Sequence, residues 1–220
     1  IIPNIPKYIP DSNSNREDLK LVLAIMVEFQ EEVNDEASTS GNGLFLQSLE
    51  DNLNFINYND ISRCNPEEHM VLDPPPHNAA YFYSQLTAVQ SYYTKLYNQE
   101  QFNVHVIDNV FTVSKEMREY AYSNLTITDL YVESLELAQI QIEDYLNSNS
   151  EYSYDNTLVT VFHAGLGQDF AAPLFDPTPY DIHSAYIDEN MLSDFFEAND
   201  TTVFYASNFD NGIQLPETLN

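Results

Sequence analysis

Two apolar segments limit the folds open to this chain of 220 residues. Leu19–Phe29 (LKLVLAIMVEF) is apolar almost throughout, and Thr157–Ala164 (TLVTVFHA) is nearly all apolar and β-branched. An uninterrupted apolar run bounded by polar residues is typical of a strand that is covered on both faces, because alternation is expected only where one face meets water. We therefore predict two strong β-strands here, the first with its centre buried on both sides.

Helical periodicity is clearest in two other segments. In Ala79–Tyr97 and Asp129–Leu146, apolar or aromatic residues recur every three or four positions, as expected for helices with one buried face. The segment Thr126–Asp129, just ahead of the second helix, resembles a capping box that would satisfy free amide donors in its first turn. Both segments are therefore predicted to be helices.

The remaining patterned segments predict short strands. Phe102–Val113 alternates and favours two short strands around Asp108 and Asn109. Val203–Ser207 and Ile213–Leu215 favour a hairpin, since the residues between them are rich in Gly and Asn. Strands and helices in this order indicate an α/β (α+β) fold, a mixed β-sheet flanked by helices.

The segments between these elements define the expected organisation of the chain. Residues 1–18 are a Pro-rich, extended lead-in, and residues 19–220 are expected to form a single domain. Residues 44–60 could begin as a short helix, whereas Asp73–His77 is stiffened by three prolines. Asp176–Asp181 is also stiffened by proline, and could either border a cleft or connect two strands.

The charge of the chain excludes some partners. There are 35 acids and seven bases, a net charge of −28, so nucleic acid and an anionic membrane surface are unfavourable partners. The longest apolar run, Leu21–Val27, is far shorter than the roughly 20 residues that span a bilayer, and no signal peptide is visible at the start. The acids could form a solvated surface or bind calcium, although Asn208–Gly212 matches only part of an EF-hand loop.

Common catalytic motifs are absent from the sequence. There is no Gly-x-Ser-x-Gly, no phosphate-binding loop, no dinucleotide fingerprint and no His-Glu-x-x-His. Cys64, the only cysteine, has no partner that the sequence can place. His163 is the most informative histidine, because it ends a buried strand and is followed by Gly165 and Gly167. Sites in open α/β sheets lie at strand ends, but the imidazole could equally hydrogen-bond to loop backbone at that corner.

Four segments taken in order resemble a known family. They are LVLAIMVEFQ…STSGNGLF, DPPPHNAAYFYSQLTAVQSYYTKLY, YDNTLVTVFHAGLGQDF, and DPTPYDIHSAYI running on to GIQLPETLN. Together they are similar to the region that precedes the zinc site in secreted bacterial metallopeptidases of the immune inhibitor A type. The resemblance covers most of residues 19–220, and its strongest element is the strand that ends in His163-Ala164-Gly165-x-Gly167.

The resemblance implies a zincin-like amino-terminal subdomain whose substrate cleft is bordered by one edge strand of a mixed sheet. In that family the zinc-binding His-Glu-x-x-His lies downstream of the segment that resembles LPET, so zinc ligands and general base are expected outside this chain. The chain alone is then expected to be inactive and to pack on its own downstream half-domain. Protein or peptide substrates and a secreted location are implied for the whole enzyme.

The resemblance places no catalytic or zinc residue in this chain. Positions that could border the cleft or maintain the family motifs are His77, His163, Gly165, Gly167 and Asp181. The alternative function is a non-catalytic, acidic extracellular binding or structural module, stabilised by calcium. Residues after Asn220 would discriminate between the two functions, because only the peptidase requires His-Glu-x-x-His there.

Overall fold

A computed structural model describes residues 19–32, 38–48, 75–98, 101–168, 178–199 and 204–218. Within these ranges the chain forms five strands and four helices: β1 Leu21–Glu28, α1 Ala79–Tyr97, β2 Asn103–Thr112, α2 Met117–Tyr120, α3 Asn124–Ser148, β3 Thr157–Leu166, β4 Ala185–Ile187, α4 Glu189–Ala198 and β5 Gly212–Thr218. The predicted mixed α/β class is confirmed. None of the described helices is both long and apolar enough to cross a membrane.

The five strands form one mixed sheet in the order β2-β1-β3-β5-β4. The first four of these are parallel to one another, and β4 runs antiparallel to β5 at one edge. β1 lies between β2 and β3, and its residues 21–27 are all buried. This explains the continuous apolar run, since a strand in the middle of a sheet covered on both faces has no side that meets water.

Helices cover both faces of the sheet. On one face, Phe82 of α1 stacks on Phe162 of β3, with ring centroids 4.2 Å apart. On the opposite face, the ring of Tyr131 from α3 lies against Gly212, the first residue of β5. The core therefore consists of two apolar layers, one on each side of β1 and β3.

The start of α3 differs from its prediction. The helix begins at Asn124, and Ser123 and Thr126 form a reciprocal capping box: the Ser123 N–H donates to Thr126 Oγ1 at 3.0 Å and the Thr126 N–H donates to Ser123 Oγ at 3.3 Å. The predicted box at Thr126–Asp129 is wrong. Asp129 lies within the helix and forms an ion pair with Lys115.

Two predicted strand pairs are also wrong. Phe102–Val113 contains one strand, β2, which carries two more residues than β1 between the pairs Ala24–Val106 and Met26–Val110. The predicted hairpin is absent because Tyr205–Asn208 forms a 3-10 turn and β5 pairs with β3 and β4 instead. Turn residues alone favour a local hairpin, but the partners of β5 come from distant parts of the chain.

Some predictions fall partly or wholly outside the described residues. Residues 44–48 form no helix, so the described part of the predicted helix at 44–60 is wrong. The remainder of that segment, the lead-in 1–18, Cys64, Asp73 and Asp176 lie outside the described ranges. β4 and α4 carry no prediction from the sequence.

Candidate functional site

The carboxyl ends of β1, β3 and β5 meet at one edge of the sheet because these strands are parallel. Segments that follow or approach these ends bring buried polar side chains together there. In open α/β sheets this edge is the usual place for a ligand site. We therefore consider it the candidate functional site and refer to it as the carboxyl edge.

Glu217 of β5 is the centre of the carboxyl edge. Its Oε1 accepts a hydrogen bond from the Leu46 N–H at 2.8 Å and lies 2.8 Å from Nδ1 of His77. Its Oε2 accepts from the Gly165 N–H at 3.2 Å. The His77 N–H in turn donates to the Leu46 carbonyl at 2.7 Å. One buried carboxylate thus joins β5, the end of β3, the segment after β1 and the segment that leads into α1.

The protonation of this pair follows from its surroundings. Burial raises the pKa of the Glu217 carboxyl, while the hydrogen bonds from His77 and from the backbone of Leu46 and Gly165 oppose that rise. When Glu217 is ionised, Nδ1 of His77 must carry the hydrogen, since a carboxylate oxygen only accepts. Burial has the larger effect, so the Glu217 pKa stays above the ordinary value for a glutamate.

A second set of hydrogen bonds holds the segment after β1. The Ser40 N–H donates to Asp181 Oδ1 at 2.6 Å, and Ser40 Oγ accepts from the Leu166 N–H at 2.7 Å. Thr39 Oγ1 lies 2.8 and 2.9 Å from the two carboxylate oxygens of buried Glu32. These contacts attach the segment after β1 to both β3 and the residues that precede β4.

Gly165 allows the hydrogen bonds of Glu217 and those of Ser40 to lie next to each other. β3 has one more residue than β5 between the pairs His163–Pro216 and Leu166–Thr218, so β3 bulges here. The φ of Gly165 is +89°, and a Cβ at this position would contact Met117 and lie 3.1 Å from Ser40 Oγ. Only glycine adopts this backbone and this close approach without strain.

The structure brings together three of the five positions singled out in the sequence. His77 and Gly165 both contact Glu217, and Asp181 joins the same edge through Ser40. His163 lies within β3 rather than at its end, and is buried with Nδ1 3.0 Å from the Ala164 carbonyl. Its ring is edge-on to Phe29, with centroids 6.0 Å apart, and the carbonyl that it contacts belongs to β3 and not to a loop. Gly167 follows β3 and is half-buried.

Sequence reasoning missed Glu217 and Ser40. A signal for Glu217 exists in GIQLPET, where a glutamate follows directly on an apolar segment. A signal for Ser40 is weaker, since Ser-Thr-Ser before Gly-Asn-Gly resembles an ordinary polar turn. Neither residue could be paired with its partner, because those contacts span 52 to 171 positions in the sequence.

The carboxyl edge holds loops together and presents no metal-binding set. Within the described ranges no three His, Cys, Asp or Glu side chains converge as a metal site requires. His77 is bound to Glu217, and His105 stacks on Tyr145 with centroids 3.8 Å apart. A zinc ion that needs three protein ligands therefore does not fit the described residues of this chain. What the geometry supplies is immobilised backbone around the ends of β3 and β5.

No protein-family model matches the chain, and no curated protein or solved structure matches it. The role of the carboxyl edge is therefore inferred from its geometry and from the sequence resemblance.

Proposed function

We propose that this chain is the amino-terminal part of a secreted zinc metalloendopeptidase with a zincin-like sheet. The whole enzyme would hydrolyse peptide bonds with a metal-activated water. The 220 residues contain no His-Glu-x-x-His, and in the proposed enzyme the zinc ligands and the general base would come from residues after Asn220. This chain supplies the sheet and its supporting helices, and is inactive alone.

The observation that carries the proposal is the sheet with a single antiparallel edge strand. The family resemblance implies a mixed sheet and a cleft bordered by an edge strand, and the described sheet has β2 and β4 at its edges. We assign the cleft to β4, because it lies beside β5, from which the chain continues toward the expected zinc ligands. Tyr186 of β4 is exposed, and an extended peptide could add to this edge by backbone hydrogen bonds.

A second observation concerns the face of the sheet that carries α1. Ile213 and Leu215 of β5 pair with Thr160 and Phe162 of β3, so all four lie on this face. Among the described elements, α1 packs mainly on β2, and Ile213 and Leu215 remain half-buried. Partly exposed apolar residues beside a helix are expected where a further helix docks on the sheet, which supports a downstream half-domain at this place.

The carboxyl edge contributes by holding the end of β5. Glu217 lies three residues before Asn220 and is bound to the backbone of Leu46 and Gly165. The end of β5 is therefore held by buried hydrogen bonds. A metal centre built by the following residues needs such rigid support, because catalytic geometry tolerates only small displacements.

Casein zymography in the presence of zinc tests the proposed function. The 220-residue chain should digest nothing, whereas a longer polypeptide that continues through the next His-Glu-x-x-His should digest casein. The matched control replaces the glutamate of that motif with glutamine, which should abolish digestion. Digestion by the short chain, or an open reading frame that continues without the motif, would contradict the proposal.

A non-catalytic acidic module is the second candidate. It is favoured by the hydrogen bonding at the carboxyl edge, where the buried carboxylates of Glu32, Asp181 and Glu217 all accept hydrogen bonds from the chain itself. Buried carboxylates satisfied in this way are typical of structural networks. Calcium would stabilise such a module by neutralising part of its negative charge.

A further inference from the structure

The chain contains two Asn-Gly pairs, Asn42-Gly43 after β1 and Asn211-Gly212 at the start of β5. Asparagine is a thermally labile residue, and it is most labile before glycine, because no side chain shields the next backbone nitrogen. That nitrogen attacks the asparagine Cγ, so the reaction requires the two atoms to approach each other. The surroundings of each pair therefore decide whether it can react.

The structure brings the reacting atoms of the first pair close together. Asn42 is exposed, and its Oδ1 accepts a hydrogen bond from the Leu44 N–H at 3.3 Å. This is an Asx turn, in which the side chain bonds to backbone two residues further on. The hydrogen-bonded ring contains both Cγ of Asn42 and the nitrogen of Gly43. Within the described ranges the Gly43 N–H donates no hydrogen bond, so no acceptor holds this nitrogen in place.

The turn itself requires glycine at position 43. The φ of Gly43 is +88°, and a Cβ atom there would lie 3.0 Å from the carbonyl oxygen of Gln30. Only glycine adopts this backbone conformation without strain, and the same lack of a side chain leaves its nitrogen open to reaction. The labile pair is therefore a consequence of how the chain turns after β1.

The second pair is held within the sheet. Gly212 pairs with Val159 of β3 on one side and with Ile187 of β4 on the other. The Tyr131 ring lies against Gly212, and the Tyr131 hydroxyl donates to the Asn211 carbonyl at 3.3 Å. Backbone between two paired strands is released only in rare openings of the structure. The Gly212 nitrogen is therefore held away from Cγ of Asn211 in the folded protein.

We propose that Asn42 is a site of spontaneous deamidation in the folded protein and that Asn211 is protected. The Gly43 nitrogen forms a bond to Cγ of Asn42 and loses its proton, while the side-chain nitrogen takes up that proton and leaves as ammonia. Water then opens the resulting five-membered imide at either carbonyl. One product is aspartate, and the other is isoaspartate, in which the main chain runs through Cγ.

Both products should destabilise the turn after β1. The Asn42 Nδ2 donates to Glu31 Oε1 at 3.5 Å, and in aspartate this contact becomes a repulsion between two carboxylates. The Glu32 N–H donates to the Asn42 carbonyl at 3.0 Å, and in isoaspartate that carbonyl becomes a free carboxylate. Deamidated protein, separated by anion exchange, should therefore have a Tm lower by roughly 2–4 °C than the unmodified protein.

Peptide mapping by mass spectrometry tests the proposal on protein stored at mildly alkaline pH. Deamidation replaces NH2 with OH and makes the peptide heavier, and chromatography separates its aspartate and isoaspartate forms. The peptide that contains Asn42 should convert at least about tenfold faster than the one that contains Asn211. In guanidinium chloride both pairs are released from the fold, so their rates should become similar.

A variant confirms the position. Asn42→Gln would require a six-membered ring, which closes more slowly, and should lose the fast reaction while Asn211 behaves as in the wild type. Equal rates at Asn42 and Asn211 in the folded protein would overturn the proposal. So would a rate difference that persists in guanidinium chloride, since local sequence would then be its cause. Fast deamidation that continues in Asn42→Gln would place the reaction at another residue.

Discussion

At the scale of single residues, the carboxyl edge shows how a very acidic chain can bury acids. Glu32, Asp181 and Glu217 are all buried, and an isolated ionised carboxylate in such a place is strongly unfavourable. Each accepts hydrogen bonds from a hydroxyl or from backbone amides, and Glu217 also contacts His77. These bonds lower the cost of burial, and they also attach the segments after β1, before α1 and before β4 to one another and to the sheet.

The first prediction concerns the pH dependence of Glu217. Because burial raises its pKa, the folded state retains a proton that the unfolded state has released. The free energy of unfolding therefore falls as the pH rises from about 4.3, the ordinary glutamate value, toward the raised value. Glu217→Gln cannot titrate and lacks this contribution. The stability of the wild type should therefore decline relative to that of the variant as the pH increases.

Urea denaturation of both proteins between about pH 4 and pH 7 measures this difference. The other acids are common to both chains, so their titration largely cancels in the comparison. A difference in unfolding free energy that does not change with pH would show that the Glu217 pKa is the same in the folded and unfolded chain.

At the scale of elements, one aromatic ring brings α3 into close contact with β5. The ring of Tyr131 fills the space where a side chain of residue 212 would lie, and its hydroxyl donates to the Asn211 carbonyl at 3.3 Å. Burial raises the pKa of Tyr131, so the phenol remains a neutral donor. Position 212 requires glycine because the Tyr131 ring leaves no room for a Cβ atom. The backbone conformation does not require it, because the φ of Gly212 lies outside the left-handed region.

The second prediction is a coupling between these two residues. Gly212→Ala should lower the free energy of unfolding by about 2–3 kcal/mol, because the new methyl group overlaps the Tyr131 ring. In a Tyr131→Leu background the same substitution should cost at least about 1 kcal/mol less.

Chemical denaturation of the four proteins in this cycle gives the coupling energy. Gly167→Ala, at a half-buried position after β3, serves as a control for the general effect of replacing glycine. Equal costs of Gly212→Ala with and without the tyrosine ring would show that the ring does not restrict position 212.

At the scale of the whole molecule, the dominant feature is uneven charge. After Arg118 the chain contains 18 acids and no Lys or Arg. Like charges at this density repel one another and destabilise the compact state. Ion pairs offset little of this, because seven bases face 35 acids over the whole chain.

The third prediction follows from that repulsion. Added NaCl should stabilise the fold by about 1 kcal/mol or more, which for a chain of this size raises Tm by roughly 2–4 °C. Thermal melts at increasing NaCl measure the effect, and an unchanged or lower Tm would contradict it. CaCl2 at equal ionic strength separates screening from binding, since a specific calcium site adds a further increase by mass action. That further increase would favour the acidic module.

The sequence by itself determined the elements whose local signals are strong. β1 and β3 follow from uninterrupted apolar runs, and α1 has the predicted bounds because Asn78 caps a clear helical period. Of the carboxyl edge, His77, Gly165 and Asp181 could be singled out because they belong to the segments that carry the family resemblance. Glu217, the residue that joins His77 to Gly165, could not be assigned to this edge, because its local signal in GIQLPET does not identify partners that are 52 and 140 positions away in the sequence.

Only the tertiary structure decided which strands pair and which polar groups meet. β5 was expected in a local hairpin, yet it lies between β3 and β4, and β4 itself is three residues long with no pattern to detect. Burial within the sheet outweighs local turn preference, because backbone groups in the interior must find partners wherever the packing places them. The bonds of Glu217 to Leu46 and Gly165 arise in the same way, from contacts that exist only after the chain has closed on itself.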